Sequence, residues 1–176
     1  KDFVQSHSYG EYQTDFSVGD RIMKKYVLLS DFGSAYICDE SGNRITPTFN
    51  FILPYGLILG QSRYFIARDR SKMAVFYLDL SDNLTRISDW FDKIYPDGLV
   101  KGESDYYIVE DNEKMAVFHK SGKMVSSQFY DYVYSDGLVK GESDYFYAQK
   151  DDKFAIFDVN GKMITKDWLF YLDYKY

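Results

Sequence analysis

Few side chains in this sequence could carry covalent or metal chemistry. Nucleophilic catalysis needs a base beside the nucleophile, usually a histidine, and the chain holds two, His7 and His119. His119 lies in HKSGK, a stretch that reads as a hairpin, and where this pattern recurs its place is taken by Asp158 and by Tyr77. A catalytic base is not exchanged so freely, so His119 reads as a turn residue. Gly102-Glu103-Ser104-Asp105-Tyr106 sets a serine behind a glycine but lacks the second glycine of a nucleophile elbow. It also belongs to a decapeptide, DGLVKGESDY, that occurs at 97–106 and again, unaltered, at 136–145. An exact duplicate argues against a unique active site and for a turn. Glu103 and Asp105 could serve as a general acid pair, yet solvated turns account for them. Asp158-Val159-Asn160-Gly161 has the look of a calcium loop without the further oxygen ligands and terminal Glu that an EF-hand requires. One cysteine and two histidines are too few for a zinc site, and no phosphate-cradling glycine loop is present. No catalytic residue, metal or cofactor is expected, and the chain reads as a non-enzyme.

The bulk composition narrows the partners. At 45% hydrophobic and 27% charged, the 176 residues are enough for one globular domain with a real core. A net charge of −6 and the absence of a basic stripe speak against a nucleic-acid partner. The longest apolar run, FILPYGLIL at 51–59, is broken by Pro54 and Gly56 and is about half of what a membrane-spanning helix needs. Cys38, the lone cysteine, stands beside Tyr36 and Ile37 and reads as a buried thiol. The chain begins at Lys1, with neither Met nor an apolar leader, which fits a mature product or a cut fragment. Aromatic residues make up 19% of the chain, mostly Tyr and Phe, which favour pleated, half-buried surfaces.

The elements that must position these residues recur. Shifting the sequence by 39 aligns 90–136 with 129–175 without a gap, so that KMAVFHKSGKMV (114–125) meets KFAIFDVNGKMI (153–164). An upstream copy lies at an offset of 42, where KMAVF (72–76) meets KMAVF (114–118), the extra residues falling within YLDLSDNLTR (77–86). A more degenerate copy runs from Gly19 through SAYICDESGNRI (34–45). We read a single β-repeat domain over 1–176, with copies at about 19–55, 56–97, 98–136 and 137–176 behind a leading segment, 1–18. Short Tyr-, Val- and Ile-rich runs between Gly, Asn, Asp and Ser predict three or four antiparallel strands per copy and little helix. Asn160-Gly161 predicts a hairpin in which both residues accept positive φ. In the decapeptide, Asp-Gly predicts a tight turn, with Leu-Val (99–100 and 138–139) starting the next strand.

Alternation along KMAVF sets Ala74, Ala116 and Ala155 on one face with Phe76, Phe118 and Phe157, and Met73/Val75, Met115/Val117 and Phe154/Ile156 on the other. A strand that is apolar on both sides lies between layers, and the recurring Ala predicts close approach. The fold class expected is all-β: about four 40-residue antiparallel meanders stacked as a propeller-like or solenoidal array.

With DVNGK (158–162), SGK (121–123), FYDYVYSDGL (129–138) and FDKIYPDGL (91–99) in this order, the chain resembles the bacterial WG-repeat family. In place of that family's Trp-Gly pair stand Met73-Ala74, Met115-Ala116 and Phe154-Ala155. The resemblance implies a β-repeat array, seldom catalytic, that binds proteins or envelope components, hence a protein-interaction or scaffolding module in a secreted or envelope setting. KFAIFDVNGKMITKDW (153–168) is also similar to Gram-positive cell-wall and glucan-binding repeats. That implies the alternative, a carbohydrate- or cell-wall-binding module of a larger envelope protein.

The expected contact residues come from comparing copies. Val133 aligns with Ile94 and Leu172, always apolar, and is expected in the core. Tyr132 aligns with Phe51, Lys93 and Tyr171, and a position that accepts Lys belongs at the surface because an unpaired ammonium is costly to bury. Phe51, Tyr132 and Tyr171 are therefore the candidate binding residues, exposed rings at equivalent places that suit a protein or a glycan partner.

Overall fold

Alternating β-branched and aromatic residues between turn letters produce fourteen short elements among the described residues. A computed structural model describes residues 26–170. The leading segment 1–18 with His7, the start of the 19–55 copy, and Tyr171 and Leu172 lie outside the described residues. In chain order the elements are β1 (Tyr26–Asp31), β2 (Ser34–Asp39), β3 (Phe51–Leu53), α1 (Tyr55–Ile58), β4 (Tyr64–Asp69), β5 (Lys72–Leu78) and β6 (Leu84–Arg86). There follow β7 (Lys93–Ile94), β8 (Tyr106–Asp111), β9 (Lys114–His119), β10 (Tyr132–Tyr134), α2 (Asp136–Val139), β11 (Tyr145–Lys150) and β12 (Lys153–Asp158). They form four small antiparallel sheets: β1-β2, β3-β4-β5-β6, β7-β8-β9 and β10-β11-β12. Both helices are single turns.

The hairpins follow from local chemistry. Asn112-Glu113 and Asp151-Asp152 make two-residue loops with positive φ at both positions, the twist that matches the flanking strands. The loop after β12 differs from the sequence expectation. Asp158 N–H donates to Lys162 O, Gly161 N–H donates to Asp158 O, and of Asn160 and Gly161 only Gly161 has positive φ. A three-residue loop closed by one left-handed glycine needs nothing unusual of Asn160.

Beyond each hairpin the chain bulges in the same way. Ile45 and Thr46 both donate their N–H to Ile37 O, Ile87 and Ser88 to Val75 O, and Val125 and Ser126 to Val117 O. The hydroxyl of the second bulge residue repairs the ladder: Ile37 N–H donates to Thr46 Oγ1 at 3.0 Å, Val75 N–H to Ser88 Oγ at 2.9 Å, and Val117 N–H to Ser126 Oγ at 3.2 Å. Thr46, Ser88 and Ser126 are buried for that reason. The strand then passes to the next sheet without a loop. Phe91 exchanges both backbone hydrogen bonds with Met73, and two residues later β7 pairs with β8; Tyr130 does the same with Met115 before β10.

Three apolar clusters hold the molecule. The first joins Tyr26, Ala35, Ile37 and Phe49 to Phe65, Ala67, Ala74 and Phe76, from the first and second sheets. The next joins Ile66 and Val75 of the second sheet to Tyr107, Val109, Ala116 and Phe118 of the third, with Phe91 between them in sequence. The last joins Ile108, Met115 and Val117 of the third to Phe146, Ala148, Ala155 and Phe157 of the fourth, with Tyr130. The second and third sheets are thus buried on both faces, as the KMAVF alternation predicts. Each cluster centres on three rings: Phe49, Phe65 and Phe76; Phe91, Tyr107 and Phe118; Tyr130, Phe146 and Phe157, with centroids 5.1–5.7 Å apart in each linked pair.

Tyr107 is the odd member. Phe65 and Phe146 occupy its position in the other sheets, and its buried hydroxyl has no hydrogen-bond partner. Burial pushes the Tyr107 phenol well above its usual pKa. Since an unsatisfied buried hydroxyl costs free energy, Tyr107→Phe is expected to stabilise the chain by about 1 kcal/mol in urea denaturation; a loss of stability would contradict the orphan-hydroxyl account. Ala116, fully buried opposite Val109, leaves no room for a larger side chain. Ala116→Leu should destabilise by about 1–3 kcal/mol through overpacking, and an unchanged urea midpoint would refute burial at this position.

Candidate functional site

One constellation has the composition of a catalytic triad. His119 Nδ1 lies 3.0 Å from Ser121 Oγ, and His119 Nε2 lies 4.0 Å from Asp105 Oδ2. Its hydrogen bonding is that of a turn. The Ser121 N–H donates to His119 Nδ1, as Ser41 and Asn43 donate to Asp39, Ser81 and Asn83 to Asp79, and Asn160 and Lys162 to Asp158. The imidazole thus fills the place of a turn-closing carboxylate. A separation of 4.0 Å is too long for a hydrogen bond, and Asp105 is already paired with Lys120 at 2.8 Å. Among the described residues no group of three or more His, Cys, Asp or Glu could hold a metal ion, and no helix is long and apolar enough to cross a membrane.

The repeated decapeptide is a point of close approach between successive copies. Gly102 and Gly141 both have positive φ. A Cβ on Gly141 would stand 2.6 Å from Glu103 O of the preceding copy, and one on Gly102 would stand closer still to Gln61 O. Glycine is required twice over, by conformation and by space. Leu99-Val100 and Leu138-Val139 correct the sequence reading. They do not start a strand; Leu138 and Val139 lie in the single turn of α2, Leu99 and Val100 in the matching turn, and all four are buried. The strands begin only at Tyr106 and Tyr145. A shallow cleft of about 350 Å³ opens beside the first of these turns, lined by Tyr55, Leu59, Gln61, Lys101, Gly102 and Glu103.

Of the sequence-selected binding residues, Phe51 and Tyr132 are exposed, as is Lys93 between them in the copy series, while Val133 and Ile94 are buried. The structure places Phe51 in β3 of the second sheet, under the Arg68 guanidinium, and Tyr132 in β10 of the fourth. Tyr171 lies outside the described residues. Tyr132 does not stand alone: its ring is 4.4 Å from Tyr134, which in turn touches Tyr147 and Phe154. With Tyr145 and Ile156 these residues share one face of the fourth sheet, by register.

Two positions of that face are covered in the earlier sheets. Ile66 and Ile108 are buried where Tyr147 is half-buried, and Val75 and Val117 where Ile156 is half-buried. Phe91 is 7% exposed and Tyr130 1%, yet Leu169, which pairs with Phe154 as they pair with Met73 and Met115, is 40% exposed. Sequence comparison singles out only Tyr132 on this face, through Lys93, because Tyr147 and Ile156 are apolar like the buried Ile66, Ile108, Val75 and Val117 they align with. The missing signal is which sheet comes last.

Ion pairs ring the junctions. Lys72 Nζ reaches Asp92 at 2.8 Å and Asp111 at 2.7 Å, and Lys114 pairs with Asp131. Asp92 and Asp131 also accept the N–H of Asn112 and Asp151, each the first loop residue of the following hairpin, at 2.8 Å.

No family model matches the chain, and no curated protein does. Among solved structures the chain is similar to Kluyveromyces lactis Hsv2, at 13% identity and a TM-score of 0.43, over 82% of this chain. It spans about half, 51%, of that chain's length.

The lysine beside each acid sets a pH dependence. Hydrogen bonds from Lys72 and Lys114, followed by those from the loop N–H groups, hold Asp92 and Asp131 below the usual carboxylate range. A carboxylate with a depressed folded-state pKa stabilises the fold above its unfolded pKa, near ~3.9, and that contribution is lost as pH falls through the folded value. The difference in urea midpoint between wild type and Lys114→Met should be present at pH 6 and close below pH 3. A difference that is the same at both would contradict the pairing.

Proposed function

We propose that the chain is a non-enzymatic protein-interaction and scaffolding module, a stack of four WG-like β-meander copies whose last sheet offers its outer face to a protein partner. The observation that carries the reading is the apolar face of Tyr132, Tyr134, Tyr145, Tyr147, Phe154 and Ile156, on which Tyr147 and Ile156 are partly open at positions buried in the second and third sheets. The stacked arrangement is supported by three clusters that each draw on two successive sheets. It is supported too by glycines whose absent side chains leave room for the preceding copy. Large exposed apolar faces on a folded domain mark interaction sites, and tyrosine adds contact area with a polar tip. The turn and strand order that resembles the WG-repeat family points the same way. The second reading, a glycan-binding module, rests on the adjacent Tyr132 and Tyr134 rings, which could stack on sugar faces.

One measurement tests the stack and a second separates the two readings. A chain shortened to end at Asp136 loses β11 and β12, whose Phe146, Ala148, Ala155 and Phe157 share a cluster with Ile108, Met115 and Val117. Its melting temperature should fall clearly below that of the full chain, and an unchanged value would refute the stack. In affinity electrophoresis through soluble glucan, chitin-derived or peptidoglycan-derived polymers, the protein reading expects unaltered mobility. Retardation that Tyr132→Ser with Tyr134→Ser removes would overturn it in favour of the glycan.

A further inference from the structure

The two end sheets carry unmatched faces of different kinds. On the first sheet, Leu28, Ala35 and Ile37 face the second sheet's cluster, while on the opposite side Val27 and Leu29 are exposed, Tyr36 is half-buried beneath Arg44 and Cys38 is buried. On the fourth sheet the exposed side is the one that carries Tyr147, Phe154 and Ile156. Among the described residues every junction is of one type: the face of a sheet that carries Leu28, Ile66 or Ile108 shares a cluster with the opposite face of the next sheet, and Tyr147 holds the same position in the fourth. The first sheet's exposed face is of the type that receives, and the fourth sheet's of the type that is received.

We propose that the outer face of the fourth sheet docks on the outer face of the first sheet of a second copy of this chain, head to tail. The inference rests on the stacked-repeat reading and extends its junction across molecules. Register supplies the complementarity. At the junction of second and third sheets, Lys72, which opens β5, pairs with Asp111, which closes β8. Continued across copies, Lys153, which opens β12, stands in the place of Lys72, and Asp31, which closes β1, in the place of Asp111. At the hairpin tips the correspondence is sharper. Asp92 and Asp131 cap Asn112 and Asp151 of the next sheet. The residue at the matching place after the fourth sheet is Phe170, and the residue at the matching tip of the first sheet is Phe32. Among the described residues these are the two most exposed large apolar side chains. An acid and a polar tip have both been replaced by phenylalanine, a change that a monomer in water does not reward and that a head-to-tail contact brings face to face. A contact between unlike faces does not close on itself in pairs, so it generates dimers and longer chains as concentration rises. A net charge of −6 on each copy opposes assembly, and added salt screens that repulsion.

Sedimentation velocity from micromolar to millimolar protein, at low and high salt, tests the proposal with Phe32→Asp and Phe170→Asp, exposed positions whose melting temperatures serve as the folding control. Wild type is expected to assemble beyond the dimer, and each variant alone to stay monomeric. A one-to-one mixture should form a dimer and nothing larger, because one intact tail then meets one intact head. Should either variant fail to fold, Asp31→Lys and Lys153→Asp replace the pair, with the same mixing logic. A wild type that stays monomeric throughout overturns the proposal, whether residues 1–25 or a different protein holds the face. Assembly of Phe32→Asp alone also overturns it, in favour of a contact between two fourth sheets. If the chain ending at Asp136 keeps its melting temperature, the stack itself fails; if only the sedimentation result fails, the stack stands and its occupant is another molecule.

Discussion

A three- or four-stranded sheet that is apolar on both faces cannot be left in water on either side. The second and third sheets are of this kind, and the rest of the chain answers to that constraint. On one face, small residues at Ala67, Ala74 and Ala116 lie beside the rings of Phe76 and Phe118. The aromatic that completes each ring set, Phe49, Phe91 or Tyr130, comes from the segment leading into that sheet. The bulged strand is what delivers it: the extra residue turns the chain from the ladder of one sheet to that of the next, and a buried Thr or Ser hydroxyl restores the hydrogen bond the bulge removes. Glycines 102 and 141 follow from the same closeness, since no side chain fits between their turns and the preceding copy.

In the reading we propose, function belongs to faces and edges. The side chains with catalytic reputations are spent on local structure: His119 closes a turn, Asp105 pairs with Lys120, and Asp39, Asp79 and Asp158 hold loop amides. The surface with no such local use is the aromatic outer face of the fourth sheet. In the stacked-repeat reading it is a consequence of repetition. Any array whose units cover one another must present one uncovered face at its end, and capping units are usually polar there. Here the end face keeps aromatic and aliphatic residues, which is why a binding role is the reading we favour.

Much of this was legible in the sequence. The KMAVF strand announces two-sided burial, and substitution of Lys93 for Tyr132 and Phe51 marks that position as exposed. The misreadings have physical causes. Leu99 and Val100 look like the start of a strand because two apolar residues after Asp-Gly fit a hairpin; their burial in a single helical turn depends on contacts from neighbouring copies. Tyr130 and Tyr132 have the same parity, yet one is buried and the other exposed, because Asp131 sits where the strand crosses between sheets and alternation resets. The bulge hydroxyls of Thr46, Ser88 and Ser126 carry no sequence signature apart from their recurrence. Beyond Tyr132 the open face is not marked in the sequence, since Tyr147 and Ile156 are apolar like their covered counterparts.

The central claim is that each sheet is stabilised by the next, so stability should grade along the chain. Residue-resolved native-state hydrogen exchange in weak denaturant tests this directly. The account predicts that amides of β5 and β9 exchange only at the free energy of global unfolding, while those of β12, in the sheet buried on one face, open at a lower free energy. Four sheets that exchange independently of one another, or a β12 as protected as β9, would contradict it.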